Sequence, residues 1–455
     1  MLTSQSISDR TARVGIIGLG YVGLPLSLVF HKAGFPVTGF DLDPSKVESL
    51  ARGKSYIKHI DGAAIAGAVQ SGAFSATADF DRLAEMDAII ICVPTPLTEK
   101  HDPDVSFIEA TGRDIARRLR AGQLVVLESS TYPGTTEEVL LPLLLQAGIP
   151  HTAPAQAMAA AAGAGTASSG RQTERFFLAY SPEREDPGNR DFTTSTIPKL
   201  VGGLDAESTQ LAHALYAAAF EQAIPVASAR VAEMAKILEN TYRCVNIALV
   251  NELKQLCLRI GIDIFEVIEA AATKPFGFQA FYPGPGLGGH CIPIDPYYLS
   301  WKAREYDFAT RFIQLAGEIN TEMPYRIVEA VGAGLNRQSK AVRGSRLLIL
   351  GVAYKKDIDD LRESPALKIM ELLESQGAAI AYHDPYCPRV APGRHNYAAR
   401  QSAPFQPADA AAYDAVVIVT DHSSLDYAAI ARHAKLLVDT RNATRGLVGD
   451  HIVRC

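Results

Sequence analysis

Four of the six residues from position 284 to 289 are glycine (Gly284, Gly286, Gly288, Gly289), and the run passes through His290 into Cys291, with Asp295 four residues further on. A thiolate attacks carbonyl carbon, glycines let backbone N–H groups approach an anion closely, and a carboxylate can orient a water or a proton. Taken alone, the pattern is equally that of a surface turn ending in a buried, inert cysteine. A second pattern changes its meaning. Gly18-Leu19-Gly20-Tyr21-Val22-Gly23 follows the apolar run Val14–Ile17 and opens an apolar helix, and Asp41 ends the next apolar run. That is the context a dinucleotide fingerprint requires. Gly18 makes the tight turn, Gly20 lets the backbone reach a pyrophosphate, Gly23 allows close helix packing, and Tyr21 and Val22 complete the loop. Asp41 can accept hydrogen bonds from an adenosine ribose, and its charge repels a 2′-phosphate, favouring NAD over NADP. A thiol working with a nicotinamide points to aldehyde oxidation through a thioester.

Further candidates lie where open parallel sheets bind ligands, at the carboxyl ends of strands. Pro94 and Thr95, within Cys92-Val93-Pro94-Thr95-Pro96, and Ser130 and Thr131, after Ser129, are expected to line the cofactor crevice. Ser181-Pro182-Glu183-Arg184-Glu185 follows another strand end and offers the Glu183 carboxylate, although a charged surface turn reads the same way. On the helical stretch after Arg230, Lys236 and Asn240 are four apart and share a face, so together they could meet an anion. A solvated lysine with a packing asparagine is the plainer alternative.

These residues need elements to hold them. Strands are expected at Val14–Ile17, Val37–Phe40, Ala88–Val93, Leu124–Leu127, Phe176–Tyr180 and Lys199–Val201, alternating with helical patterns in the first part of that stretch. Helical periodicity then covers Ala229–Ile260, Ile264–Ala272 and Ile313–Leu335. Strand-like runs return at Arg346–Leu350, Ala379–Tyr382, Ala415–Thr420 and Lys435–Val438. The expected fold is α/β, with two Rossmann-like doubly wound domains joined by a central helical domain: 1–227 for NAD, 228–335 carrying the cysteine loop, and 336–455. Residues 154–170 are low in complexity and are expected to form a loop or frayed helix within an insertion at about 152–174.

At 455 residues, 47% apolar and 21% charged, the chain can bury several cores. A net charge of −6 without a long basic run argues against nucleic-acid or anionic-membrane partners. The polar N-terminus lacks a signal-peptide pattern, and no run of about 18 apolar residues occurs, so a soluble cytoplasmic protein is expected. Six cysteines without paired spacing suggest neither disulfides nor a metal site.

In order along the chain, the fingerprint, Ser-Ser-Thr131, Ser-Pro-Glu183, Lys236 with Asn240, Gly-Gly-His-Cys291 with Asp295, and Gly351-Val352-Ala353-Tyr354-Lys355-Lys356-Asp357 with Arg362-Glu363-Ser364 resemble the motifs of the UDP-glucose/GDP-mannose dehydrogenase family. Within it, Ala272-Thr273-Lys274-Pro275-Phe276-Gly277-Phe278 running into Tyr282-Pro283-Gly284-Pro285-Gly286-Leu287 looks like the UDP-N-acetylglucosamine 6-dehydrogenase branch, as in bacterial O-antigen synthesis. The resemblance implies oxidation of a sugar C6 alcohol to the acid, with two NAD reduced in turn. It implies Cys291 as nucleophile, Lys236 as oxyanion stabiliser and Asn240 as its helper. Asp295, Thr131 and Glu183 would handle protons around a water, with Glu183 alternatively serving mainly thioester hydrolysis. Tyr282, Gly284, Gly286, Gly288 and Lys355 would hold the UDP-sugar with Glu183, Lys236 and Asn240, and Arg362 would face the cofactor. Gly351–Lys356 lacks the later fingerprint glycines, so the C-terminal domain reads as a nucleotide-sugar platform and not a second NAD site. The resemblance also implies a homodimer or higher homo-oligomer. UDP-glucose, UDP-N-acetylmannosamine or a UDP-galactose-type sugar remain open as substrates, as do a two-electron hydroxyacid dehydrogenase and a non-catalytic NAD- or nucleotide-sugar-binding protein.

Overall fold

The protein is described by a computed structural model covering residues 1–57, 60–98, 102–151, 174–184, 193–289, 291–391 and 399–455. The alanine-rich stretch 154–170, Glu185 and His290 lie outside the described residues. Two compact units form, Met1–Glu239 and Asn240–Cys455.

The first unit is built on β1 (Val14–Ile17), β2 (Val37–Phe40), β3 (Phe74–Thr77), β4 (Ala88–Ile91), β5 (Leu124–Leu127), β6 (Phe177–Tyr180), β7 (Lys199–Gly203) and β8 (Ala223–Pro225), in the spatial order β3-β2-β1-β4-β5-β6-β7-β8. Neighbouring strands are parallel except β6 and β7, which run antiparallel. β1, β2, β4, β5 and β6 are buried at every position, which is why they read as continuous apolar runs instead of alternating ones. Successive residues nevertheless feed different cores. Val14, Ile16, Ala88, Ile90, Leu124 and Val126 pack on one face with Phe30, Leu215 and Tyr216, whereas Ile17, Ile89, Ile91, Val125 and Leu127 pack on the other with Ile108, Ile115 and Leu140. The order reverses between β1 and β4, so the glycine turn after β1 and the segment after β4 flank the switch point of a doubly wound sheet.

The second unit carries β9 (Arg346–Leu350), β10 (Ala379–His383), a small ribbon of β11 (Arg389–Val390) and β12 (Arg400–Gln401), then β13 (Ala415–Ile418), β14 (Leu437–Asp439) and β15 (Ile452–Arg454). Its five-stranded sheet, β10-β9-β13-β14-β15, is parallel throughout. This is the other common doubly wound order, with its switch point between β9 and β13. In chain order, the helices Ala229–Ile260, Ile264–Ala272, Asp295–Ala303 and Arg311–Arg337 fall after the strands of the first sheet and before those of the second, and the boundary between units falls within the first of these helices. The expected α/β class with a helical centre is what forms. Strands β4 and β13 stop two residues short of their expected ends, although Cys92 and Val419 still donate to the Ile17 and Leu350 carbonyls of the neighbouring strands. β3, β8 and β15 were not expected: β3 is half polar at an edge, and β8 and β15 are three residues long, too short to show a period.

Candidate active site

The glycine turn has the geometry its sequence implies. Gly18 adopts φ +91°, and a Cβ there would lie 2.6 Å from the Cys92 carbonyl oxygen. A Cβ on Gly23 would lie 1.9 Å from the Gly18 carbonyl oxygen, so the helix Gly23–Lys32 sits against the turn as only glycine permits. At Gly20 a Cβ would meet nothing within 4 Å, and the helix has no side-chain cap, which leaves open space at its positive N-terminal end. Tyr21 there is exposed and Val22 half-buried. Asp41, at the end of β2, is buried: its carboxylate accepts the Leu19 and Asp43 N–H groups and the Lys46 ammonium, each at 2.9 Å. A carboxylate has about four acceptor positions, so one stays available for a ribose hydroxyl. These features fit a dinucleotide.

Thr95 after β4 is buried and Pro94 exposed. After β5, Ser130 is half-buried and Thr131 fully buried, with its Oγ1 2.6 Å from Thr135 Oγ1. The turn that follows is fastened by a residue the sequence did not single out. Glu233, on the long helix, accepts Gly134 N–H at 2.5 Å, Thr136 N–H at 2.9 Å and Thr136 Oγ1 at 2.6 Å. Burial pushes its carboxyl up to about 6, against the three donated hydrogen bonds.

Glu183, after β6, is half-buried, and Lys236 donates from Nζ to its backbone carbonyl. Beneath them lies a second unforeseen group. Lys199 Nζ lies 2.7 Å from Glu128 Oε2, 3.1 Å from Pro182 O and 3.4 Å from Glu183 Oε2, and Tyr216 donates its hydroxyl to Glu128. Glu128 directly follows an apolar strand, the one sequence signal that could have found it.

In the second unit, Cys291 accepts the Ile294 and Asp295 N–H groups at its carbonyl (3.1 and 2.8 Å), a turn that leads straight into the helix Asp295–Ala303. Asp295 is 1% exposed and receives Nδ2 of Asn240, itself fully buried; Arg243, missed from sequence, donates to Asn240 Oδ1. Asn240, Asp295 and Cys291 are therefore brought together. Cys291 is half-buried, whereas burial drives the Cys244 and Cys455 thiols up to about 11 and raises that of Cys92 with help from the Glu128 charge. Those three are poor nucleophiles.

The glycine loop before Cys291 is anchored by amides the sequence reading passed over: Gly284 N–H donates to Asn251, which donates to Asn320, which donates to the Cys244 carbonyl. A Cβ would meet the Arg441 guanidinium at 2.6 Å on Gly284 and Cβ of Tyr354 at 2.5 Å on Gly288, while Gly286 adopts φ +136°. Gly289 N–H donates to the Arg362 carbonyl at 2.9 Å. The loop thus lies against Tyr354, next to Lys355 in the turn after β9, and against Arg441 after β14. Arg362 forks onto Asp360, with Nη2 2.6 Å from Oδ2. Tyr282 is exposed and stacks on Phe265, centroids 6.3 Å apart. Among the described residues no cluster of His, Cys, Asp or Glu has the makings of a metal site, and no helix is long and apolar enough to cross a membrane.

A dinucleotide turn in one unit and, in the other, a thiol with a carboxylate and amide behind a glycine loop are the parts of an NAD-dependent nucleotide-sugar dehydrogenase. Comparison with known proteins agrees. Models of the NAD-binding, central and UDP-binding domains of one family match residues 12–220, 230–322 and 348–446. The chain belongs to the UDP-glucose/GDP-mannose dehydrogenase family. It is 32% identical over 416 residues to a UDP-N-acetyl-D-glucosamine 6-dehydrogenase of Pseudomonas aeruginosa, covering 91% of each chain. It is also 32% identical over 438 residues to a UDP-N-acetyl-D-mannosamine dehydrogenase of Pyrococcus horikoshii, covering 94% of this chain and 95% of that one. A solved UDP-D-ManNAc dehydrogenase structure from Pyrococcus horikoshii superposes with a TM-score of 0.83 at 29% identity, covering 97% and 98%.

Proposed function

We propose that this dehydrogenase oxidises the C6 alcohol of UDP-N-acetylglucosamine to the uronic acid, for surface polysaccharide such as O-antigen, with the domain division 1–227, 228–335 and 336–455. The observation that carries the chemistry is the linked set Asn240–Asp295–Cys291 behind the glycine loop. NAD, held by Gly18, Gly20, Tyr21, Val22, Gly23 and Asp41 with Pro94, Thr95, Ser130, Thr131 and Arg362, supplies a two-electron acceptor for each of two oxidation stages. Cys291 as thiolate adds to the C6 aldehyde and carries the carbon as thiohemiacetal and then as thioester; water releases the acid and returns the thiol. Lys236 stabilises the negative oxygen on C6, a fixed cation in a water-poor site being worth several kcal/mol. Asn240 and Asp295 position that oxygen and the proton leaving it, and Thr131 and Glu183 orient the hydrolytic water. Tyr282, Gly284, Gly286, Gly288 and Lys355 take the UDP moiety, with Glu183, Lys236 and Asn240 toward the sugar.

The choice of N-acetylglucosamine rests on the Lys274–Phe278 and Tyr282–Leu287 sequence and on the similarity to the Pseudomonas enzyme. UDP-N-acetylmannosamine is the second reading, supported by equal identity to the Pyrococcus enzyme. NADH released per sugar consumed, with each UDP-sugar supplied separately to wild type and Cys291→Ser, tests both. Two NADH from one sugar, lost in the variant, is expected; sustained two-NADH turnover by Cys291→Ser would remove the thiol from the chemistry.

The working assembly is a homodimer or higher oligomer formed through the long helix. Tyr242, Leu249, Leu253 and Leu256 recur at spacings of seven, four and three, one side of a helix, yet are 47%, 50%, 38% and 51% exposed in the single chain. A cytoplasmic location suits a nucleophile that must stay reduced, and cell fractionation checks it.

A further inference from the structure

The one antiparallel junction of the first sheet has a chemical consequence. Because β7 runs against β6, with Ala179 opposite Gly203 and Tyr180 opposite Gly202, the first residue of β7 arrives at the carboxyl end of β6. That residue is Lys199. It is 3% exposed, and its ammonium touches the Pro182 carbonyl, the Glu183 carboxylate and the Glu128 carboxylate. Glu128 has no exposure at all, and its second oxygen is taken by the Tyr216 hydroxyl. The rings of Tyr216 and Phe220 stand 5.7 and 5.6 Å from the ammonium. A buried lysine survives only if its charge is matched, and here Glu128 matches it from below while Glu183 faces it from above.

We infer that Lys199 is a positioning residue for the reaction: seated on Glu128 and Tyr216, it fixes the Pro182–Glu183 turn and holds the Glu183 carboxylate aimed, without touching substrate itself. Burial opposes the ammonium, yet Glu128 and Glu183 together raise Lys199 above the usual lysine value; burial raises Glu128, with Lys199 pulling it back. The other groups facing this cluster are Cys92 after β4, kept a thiol by burial and the Glu128 charge, and Lys236, which holds the Glu183 carbonyl. Arg184 points elsewhere, onto Glu239 and the Pro198 carbonyl. The inference rests on the reading of Glu183 as a carboxylate that serves the chemistry.

The test uses the full chain and the UDP-sugar that yields two NADH, UDP-N-acetylglucosamine first, with kcat and KM measured for each variant. Lys199→Met is expected to lower kcat by about tenfold or more, because the carboxylate loses the ammonium and the anchored turn that aim it. KM for NAD should stay within about twofold, and Lys199→Arg should restore most of the rate. If Lys199→Met fails to fold, Lys199→Met with Glu128→Gln removes both buried charges and is expected to show the same loss of kcat at unchanged KM for NAD. A wild-type kcat in either variant overturns the inference. Glu183→Gln, run beside them, separates the two failures: wild-type kcat there sinks the reading of Glu183, whereas a damaged Glu183→Gln with an unaffected Lys199 variant sinks only the role of Lys199.

Discussion

Glu233 offers a pH experiment whose size follows from the structure. Its carboxyl is buried, fastens the turn after Thr131, and sits at about 6 instead of the ordinary 4.5. At about 1.4 kcal/mol per pH unit, that difference corresponds to about 2 kcal/mol. The sign is fixed by which state holds the proton more tightly. The folded state does, so the stabilisation is complete below about 4.5 and is lost as pH rises through about 6. Glu233→Gln cannot titrate. It leaves a donor facing Gly134 N–H, an offset that is the same at every pH and cancels from the comparison. The melting temperature of the variant minus that of wild type should therefore climb by about 4 to 8 °C between about pH 4 and pH 7.5, for a unit of this size. Calorimetry is the right assay, since the single tryptophan, Trp301, belongs to the second unit. A gap that is flat with pH, or that narrows as pH rises, would refute the argument that burial outweighs the three hydrogen bonds.

Two further outcomes follow from local geometry. Gly23→Ala places a methyl 1.9 Å from the Gly18 carbonyl oxygen, backbone that cannot swing aside, and 3.3 Å from Cβ of Cys92; NAD affinity measured by calorimetric titration should fall by about tenfold or more, and an unchanged Kd would contradict the assignment of the turn. Leu249→Glu with Leu253→Glu should convert the assembly to monomer in sedimentation velocity while leaving far-UV circular dichroism intact, and an unaltered sedimentation coefficient would exclude that helix face as the interface.

The sequence determined those features that short stretches of chain enforce on their own. Continuous apolar runs such as Ile89-Ile90-Ile91 declare strands covered on both faces; Gly18, Gly20 and Gly23 declare a turn that only glycine can make; Asp295 four residues after Cys291 puts a carboxylate-bearing residue one turn of chain from a cysteine. The family and its cofactor were legible for the same reason. Only the tertiary structure decided what depends on residues distant in sequence. The antiparallel β6–β7 junction, invisible in either strand, sets Lys199 against Glu128 across 71 positions. Glu233 fastens a turn 97 residues away, and Asn251 holds Gly284 through a chain of amides that reaches Asn320. A buried charge or amide has no periodic signature, because its partner is chosen by burial and not by spacing; in sequence Lys199 is one lysine among many, and the fold alone makes it a charge that must be answered.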